Sequence, residues 1–274
     1  MRDLSEPALV WTGKVMLDAR VVMPAHPVAA VILASIPSLP DEARDVEIAT
    51  ALHRFHVATL YVPLLTEDEQ QFDSRTTHFR HDAEFLGQRF LDVAPWLHRN
   101  RDMSSLPLGY AGSSGGAAGA IAAAELRPDL VSAVVSIDGR TDLAIEHLHS
   151  VKTPTLLIVR DMPVLRMNRE AIAQLRGERR IEIIHDAGTE AIVEKTVHWF
   201  ADKLALVSAG RVRALVPHDR PDRFAAEAAT LALVPLRDDR PHAARARRGF
   251  DLREAFLRAA GHDRHLLAHS IIPL

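Results

Sequence analysis

The sequence predicts an α/β fold, a mostly parallel eight-stranded sheet with helices on both faces, plus a C-terminal extension. Three observations carry this. Short apolar runs of strand length alternate with stretches of helical periodicity from residue 28 to residue 204. Two β-branched segments separated by a turn pair precede them. A glycine-flanked serine turn, Gly112-Ser113-Ser114-Gly115-Gly116, joins an apolar run to an alanine-rich one.

Taken in order, Leu9 to Thr12 and Val15 to Met23 read as an antiparallel hairpin turning at Gly13-Lys14. Val28 to Ser35, Val57 to Leu65, Leu106 to Tyr110, Val131 to Ile137, Thr155 to Val159 and Arg180 to Ile184 have the length and composition of buried strands. Between and after them, Glu42 to Phe55, His81 to His98, Gly116 to Glu125, Asp142 to His149, Leu165 to Leu175 and Glu190 to Leu204 read as helices, most with apolar residues at three-to-four spacing. Alternation of this kind means parallel strands with helices packed on both faces. Residues 66–82 read as a lid loop. From Ala205 prolines and arginines dominate, so residues 1–204 form the predicted domain and 205–274 a tail, partly helical or disordered, with one helix expected at Asp251 to Ala260.

At 274 residues and 47% hydrophobic content the chain can bury one large core. A net charge of -3 provides no basic field for nucleic acid, and the cluster Arg245, Arg247 and Arg248 reads as a solvated surface. Cysteine is absent, which excludes disulfides, thiolate metal sites and a cysteine nucleophile. Histidines lack a metal-binding spacing such as H-E-x-x-H, so neither a metal nor a cofactor is expected. Met1 to Pro7 carries charges and no apolar core, and no run approaches the roughly 18 apolar residues of a membrane span. A cytoplasmic protein is expected, and the preference for arginine over lysine suggests a GC-rich bacterial genome.

The G-x-S-x-G spacing has a steric reason. Its serine occupies a strained strand-to-helix turn that projects the hydroxyl above the sheet edge, while the glycines let the backbones approach. Ser114 is the candidate nucleophile. Activating it needs a base, and the base an orienting acid, in the chain order Ser, Asp or Glu, His. Asp161 follows the strand Thr155 to Val159 and is the candidate acid, with Asp138, one strand earlier, as the alternative. Each can equally be a turn or cap residue. His185, directly after Arg180 to Ile184, is the candidate base, although a base deeper in the loop would reach the serine within about 3 Å more readily. His198 has a mid-helix pattern and reads as structural.

Together these residues resemble the dienelactone-hydrolase-like α/β hydrolases, in particular a bacterial serine branch often fused to a phosphoribosyltransferase domain. The likeness spans residues 10–204. It rests on Leu64 to Glu67 with Thr76, Thr77, His78, Arg80 and Asp82, on Gly109 to Ala118, on Arg127-Pro128-Asp129, on Gly139 to Leu143, and on Pro154 to Val159 with Asp161, Pro163, Val164 and Asn168. The resemblance implies an α/β-hydrolase fold, Ser114 as nucleophile, Asp161 as acid, and the Gly115 amide as one oxyanion donor. It also implies a small ester or lactone as substrate and a phosphoribosyltransferase as partner.

Two places depart from the family pattern. Where the family has a His-Gly-Ser-Gly-like loop supplying the second oxyanion donor, this chain reads Ala34-Ser35-Ile36-Pro37-Ser38-Leu39-Pro40, leaving Ser35 as the candidate and two prolines without amide hydrogens. Where the family places its histidine, the chain reads Asp186 to Ala191 without one. A serine hydrolase using His185 and a catalytically inactive hydrolase-fold binding protein are the two readings this leaves. Oligomeric state is not legible.

Overall fold

A computed structural model describes residues 4–36, 42–99, 103–160, 162–184 and 188–215. Its centre is one eight-stranded sheet in the order β1-β2-β4-β3-β5-β6-β7-β8. The strands are β1 (Leu4–Trp11), β2 (Met16–Met23), β3 (Ala29–Ser35), β4 (Val57–Pro63), β5 (Leu108–Ser113), β6 (Ala133–Ile137), β7 (Thr155–Val159) and β8 (Arg179–Ile183). The leading hairpin is antiparallel, β2 joins β4 antiparallel, and the remaining pairings are parallel. This is the expected mixed sheet, and its strand count and order are those of an α/β hydrolase.

Two apolar clusters cover the two faces. On one side α3 (Ala83–Arg99) and α4 (Ser114–Leu126) pack over β5 and its neighbours, with Phe90 and Tyr110 rings 4.9 Å apart. On the other, α1 (Glu42–His53) and α7 (Thr189–Leu215) lie against β3, β5 and β6, and Phe200 sits over Gly109. Helix α4 is Ala/Gly-rich because it is buried all round, from Gly115 to Ala124, which leaves no room for an amphipathic stripe. β5, fully buried along its length, runs between these layers and delivers its carboxyl end to the middle of the sheet edge.

The structure departs from expectation in three places. Residues 66–82 are not a lid loop: they hold helix α2 (Glu67–Thr76) and a 3₁₀ turn (Phe79–His81). The helix expected over Asp142 to His149 is instead a 3₁₀ turn (Thr141–Ala144) followed by the one-turn α5 (Ile145–Leu148). Helix α6 (Met162–Gln174) agrees with expectation, and α7 continues past residue 204 to Leu215. Residues 216–274, with the expected helix at 251–260 and the arginine cluster, lie outside the described residues.

Tyr110 offers a test of the core. Its hydroxyl is buried without a hydrogen-bond partner among the described residues, and burial pushes the phenol far above its ordinary pKa. An unsatisfied buried hydroxyl costs about 1–3 kcal/mol. Tyr110→Phe is therefore expected to leave the thermal midpoint unchanged or raise it, measured by circular dichroism.

Candidate active site

Ser114 stands where β5 ends and α4 begins, with φ at 50°, the left-handed region that a side chain occupies at a cost of about 1–2 kcal/mol. Strain of this kind persists only where the surroundings enforce it. Here they do. A side chain at Gly112 would place its Cβ 2.6 Å from the Gly116 carbonyl, so only glycine lets strand and helix meet at this angle. The Ser114 carbonyl accepts the Arg140 amide at 3.0 Å, tying the elbow to the segment after β6. Ser114 itself is partly exposed while its neighbours on both sides are buried.

The start of α4 is open. Ser113, the N-cap, makes no side-chain cap bond, and the Gly115 amide has no acceptor among the described residues. Free amides at a helix N-terminus carry positive partial charge, which suits a developing oxyanion. The end of β3 lies alongside: the Ile36 side chain comes within 3.3 Å of where a Gly115 Cβ would stand and 3.9 Å of the same point on Gly116. The backbone of Ser35, the candidate second donor, thus leads into the elbow, and residues 37–41 beyond it lie outside the described residues.

Asp161 and His185 also lie outside the described residues. The strands that lead to both are in place, since β7 ends at Val159 and β8 at Ile183, and both are parallel to β5. Asp138, the alternative acid, sits at the end of β6 with φ at 46°. Its carboxylate accepts the Arg160 amide at 2.8 Å and the Arg160 Nε at 2.6 Å, so it is engaged as a turn-and-clamp residue. The next carbonyl, Gly139, accepts Asn168 Nδ2 at 2.9 Å, which pins α6 to the same loop. His198 lies exposed on α7 with its ring Nδ1 2.9 Å from the Glu194 carbonyl, a helix-surface setting. Thr189 and Glu190 open α7.

The segment missed by sequence reading is the one over the elbow. Thr66 caps α2 in a reciprocal box with Glu69, a signal that the spacing T-x-x-E displays directly. Glu69 also pairs with Arg89 of α3. At the far end of α2 Thr77 turns left-handed, φ 56°, and the chain enters the 3₁₀ turn whose Arg80 carbonyl would be 2.0 Å from a Cβ at Gly115. A hollow of about 570 Å³ opens between this strap and residues 143–147, lined by His78, His81, Glu84, Leu143, Ile145 and His147 among others. Neither Ser114 nor any other residue of the 112–116 turn lines it. Nearby, the Arg140 guanidinium grips Asp142 through two bonds of 2.9 and 2.8 Å and holds its carboxyl below the usual carboxylate range, with His81 adding a smaller pull.

A solved dienelactone hydrolase from Anabaena variabilis superimposes on this chain with a TM-score of 0.69 and 35% identity, covering 74% of this chain and 100% of that one. The chain belongs to the dienelactone hydrolase family. The fold also extends to distant α/β hydrolases: Est1E from Butyrivibrio proteoclasticus matches at TM-score 0.59 and 13% identity over 73% of this chain and 99% of that one, a likeness of fold alone. A Mycobacterium tuberculosis protein provisionally named a phosphoribosyl transferase is 37% identical over 215 residues, 74% of this chain and 47% of that one. The chain thus spans about half the length of the curated relatives it matches. No family model matches it. In this member of the dienelactone hydrolase family the strand-to-helix turn at Ser114 lies on described residues, whereas Asp161 and His185 fall outside them.

Proposed function

We propose that this protein is a serine hydrolase acting on a small ester or lactone. The observation that carries the reading is the left-handed backbone of Ser114 at the β5–α4 junction, beside the Gly115 amide, which has no acceptor among the described residues. Ser114 Oγ attacks the ester carbonyl, His185 takes its proton and returns it to the leaving alcohol, and Asp161 orients the imidazole. The Gly115 amide, with the backbone at Ser35, receives the negative charge on the carbonyl oxygen. A bound water then hydrolyses the acyl-enzyme by the same route. The 570 Å³ hollow is of small-molecule size and is lined by residues on either side of Arg80, whose carbonyl meets Gly115, which supports a small substrate. The match covers 47% of the relatives named as phosphoribosyl transferases, and the length left over supports a phosphoribosyltransferase partner.

The test is covalent labelling. Incubation with a fluorophosphonate followed by peptide mass spectrometry is expected to place the adduct on Ser114, and His185→Ala is expected to slow both labelling and turnover of short p-nitrophenyl esters. An unlabelled wild-type protein without esterase turnover would remove the reading.

One observation favours a second reading. Glu190 occupies the first turn of α7 where the family carries its base, which supports a protein that keeps the fold to bind a ligand without turning it over. Loss of the base alone costs about a millionfold. Turnover that falls on replacing either Ser114 or His185 excludes this alternative.

A further inference from the structure

We propose that Asp73, a buried carboxylate with no place in the hydrolytic scheme, is a positioning residue that presses the strap at residues 77–82 onto the nucleophile elbow. The proposal rests on the hydrolase reading of Ser114.

Asp73 is 0% exposed, in the last turns of α2. A carboxylate taken from water must be matched by charge and hydrogen bonds, and among the described residues every match it has comes from the strap. Oδ1 accepts the Phe79 amide at 2.7 Å and the Arg80 amide at 3.1 Å. Oδ2 accepts the Arg80 Nε at 2.5 Å. Its own carbonyl accepts the Thr77 amide at 2.8 Å, which sets the left-handed reversal at Thr77. One residue thus supplies acceptors to four donors of the strap, and α2 is in turn fixed to α3 through Glu69 and Arg89.

The strap so held delivers one atom to the elbow. The Arg80 carbonyl occupies the space where a Gly115 side chain would be, 2.0 Å from the ideal Cβ. It therefore packs flat on the residue whose amide is the open oxyanion donor and which directly follows Ser114. A charged, fully buried residue is a costly way to fold a surface turn, whereas it is an apt way to fix a carbonyl against a catalytic backbone, where a displacement of about 1 Å can lower turnover by about a hundredfold.

The experiment uses the full chain and four variants: Asp73→Asn, Arg80→Gln, Gly115→Ala and the double variant of the first and third. Asp73→Asn keeps the volume and removes the charge. Gly115→Ala pushes the Arg80 carbonyl away from the opposite side. Fluorophosphonate labelling rate and the kcat and KM for p-nitrophenyl acetate are read on protein whose folded fraction is fixed by circular dichroism. The expected result for Asp73→Asn is a fall in labelling rate and kcat of between about tenfold and a hundredfold with little change in KM. The double variant should be no slower than the slower single, because both act on one contact. Arg80→Gln, which retains both backbone bonds to Asp73, carries the same expectation and replaces Asp73→Asn if that variant does not fold. Folded variants that label at the wild-type rate, or losses that multiply in the double variant, overturn the proposal. Hydrogen exchange at the Phe79 and Arg80 amides supplies an activity-independent readout. Faster exchange in Asp73→Asn is expected even if the wild-type protein never labels, in which case the hydrolase reading falls alone, and unchanged exchange sinks the strap itself.

Discussion

Ser114→Ala is expected to abolish fluorophosphonate labelling and to lower kcat on short p-nitrophenyl esters by about a millionfold. The size follows from the scheme. Without the hydroxyl no acyl-enzyme forms, and the open Gly115 amide can contribute only the residual polarisation that such donors give alone, about a thousandfold over water. Affinity for a substrate-like ester should change little, because the removed atom acts on the transition state. Folding should survive. Alanine has the same Cβ to accommodate at φ 50°, and Ser114→Gly, which relieves that conformation, should be equally inactive while raising the thermal midpoint slightly. A stable protein that is more robust without its nucleophile would identify Ser114 as a place where function holds strain in the fold. Steady-state kinetics against a buffer blank, with thermal melts of the same samples, check both halves.

Phe200→Ala is expected to cost about 3–5 kcal/mol, the range for deleting a buried phenyl ring. Phe200 is fully buried on α7, and its Cε1 would be 2.5 Å from a Cβ at Gly109, so the ring fills the space that the missing side chain on β5 leaves. The surroundings cannot collapse into the vacated volume, since β5 is held on both sides by β3 and β6. At about 2–4 °C per kcal/mol for a domain of this size, the midpoint should fall by about ten degrees or more. Phe200→Leu should lose far less. A scanning melt distinguishes these outcomes directly.

Much of the architecture was legible because it is written in local pattern. The apolar runs that became β3 to β8 are short, bounded by turn residues and interleaved with helical periodicity, and the elbow is readable because its chemistry is confined to five consecutive residues. What was illegible depends on partners distant in sequence. Helix α2 begins Glu-Asp-Glu-Gln-Gln and shows no apolar stripe; it is held by Glu69 to Arg89, 20 positions away, and by Asp73 to Arg80, 7 away. Its capping box was the one local clue. The 141–148 segment fails to form a regular helix because Arg140 turns its amide to Ser114 and its guanidinium to Asp142. Asp138 could be read as an acid from position alone, and the Arg160 clamp that engages it is 22 residues away. Ser114 was legible and is placed as expected, whereas Asp161 and His185 are named by chain order only.

The elbow is gripped from two sides by main-chain atoms, the Arg80 carbonyl on Gly115 and the Arg140 amide on the Ser114 carbonyl. Side chains of the same two segments, His78, His81, Leu143 and Ile145, line the 570 Å³ hollow. Because the grip does not pass through those side chains, exchanging them is expected to leave the turn at Ser114 in place. Under the proposed hydrolase reading, substitutions at these four positions are therefore expected to change substrate preference before they change the rate of labelling.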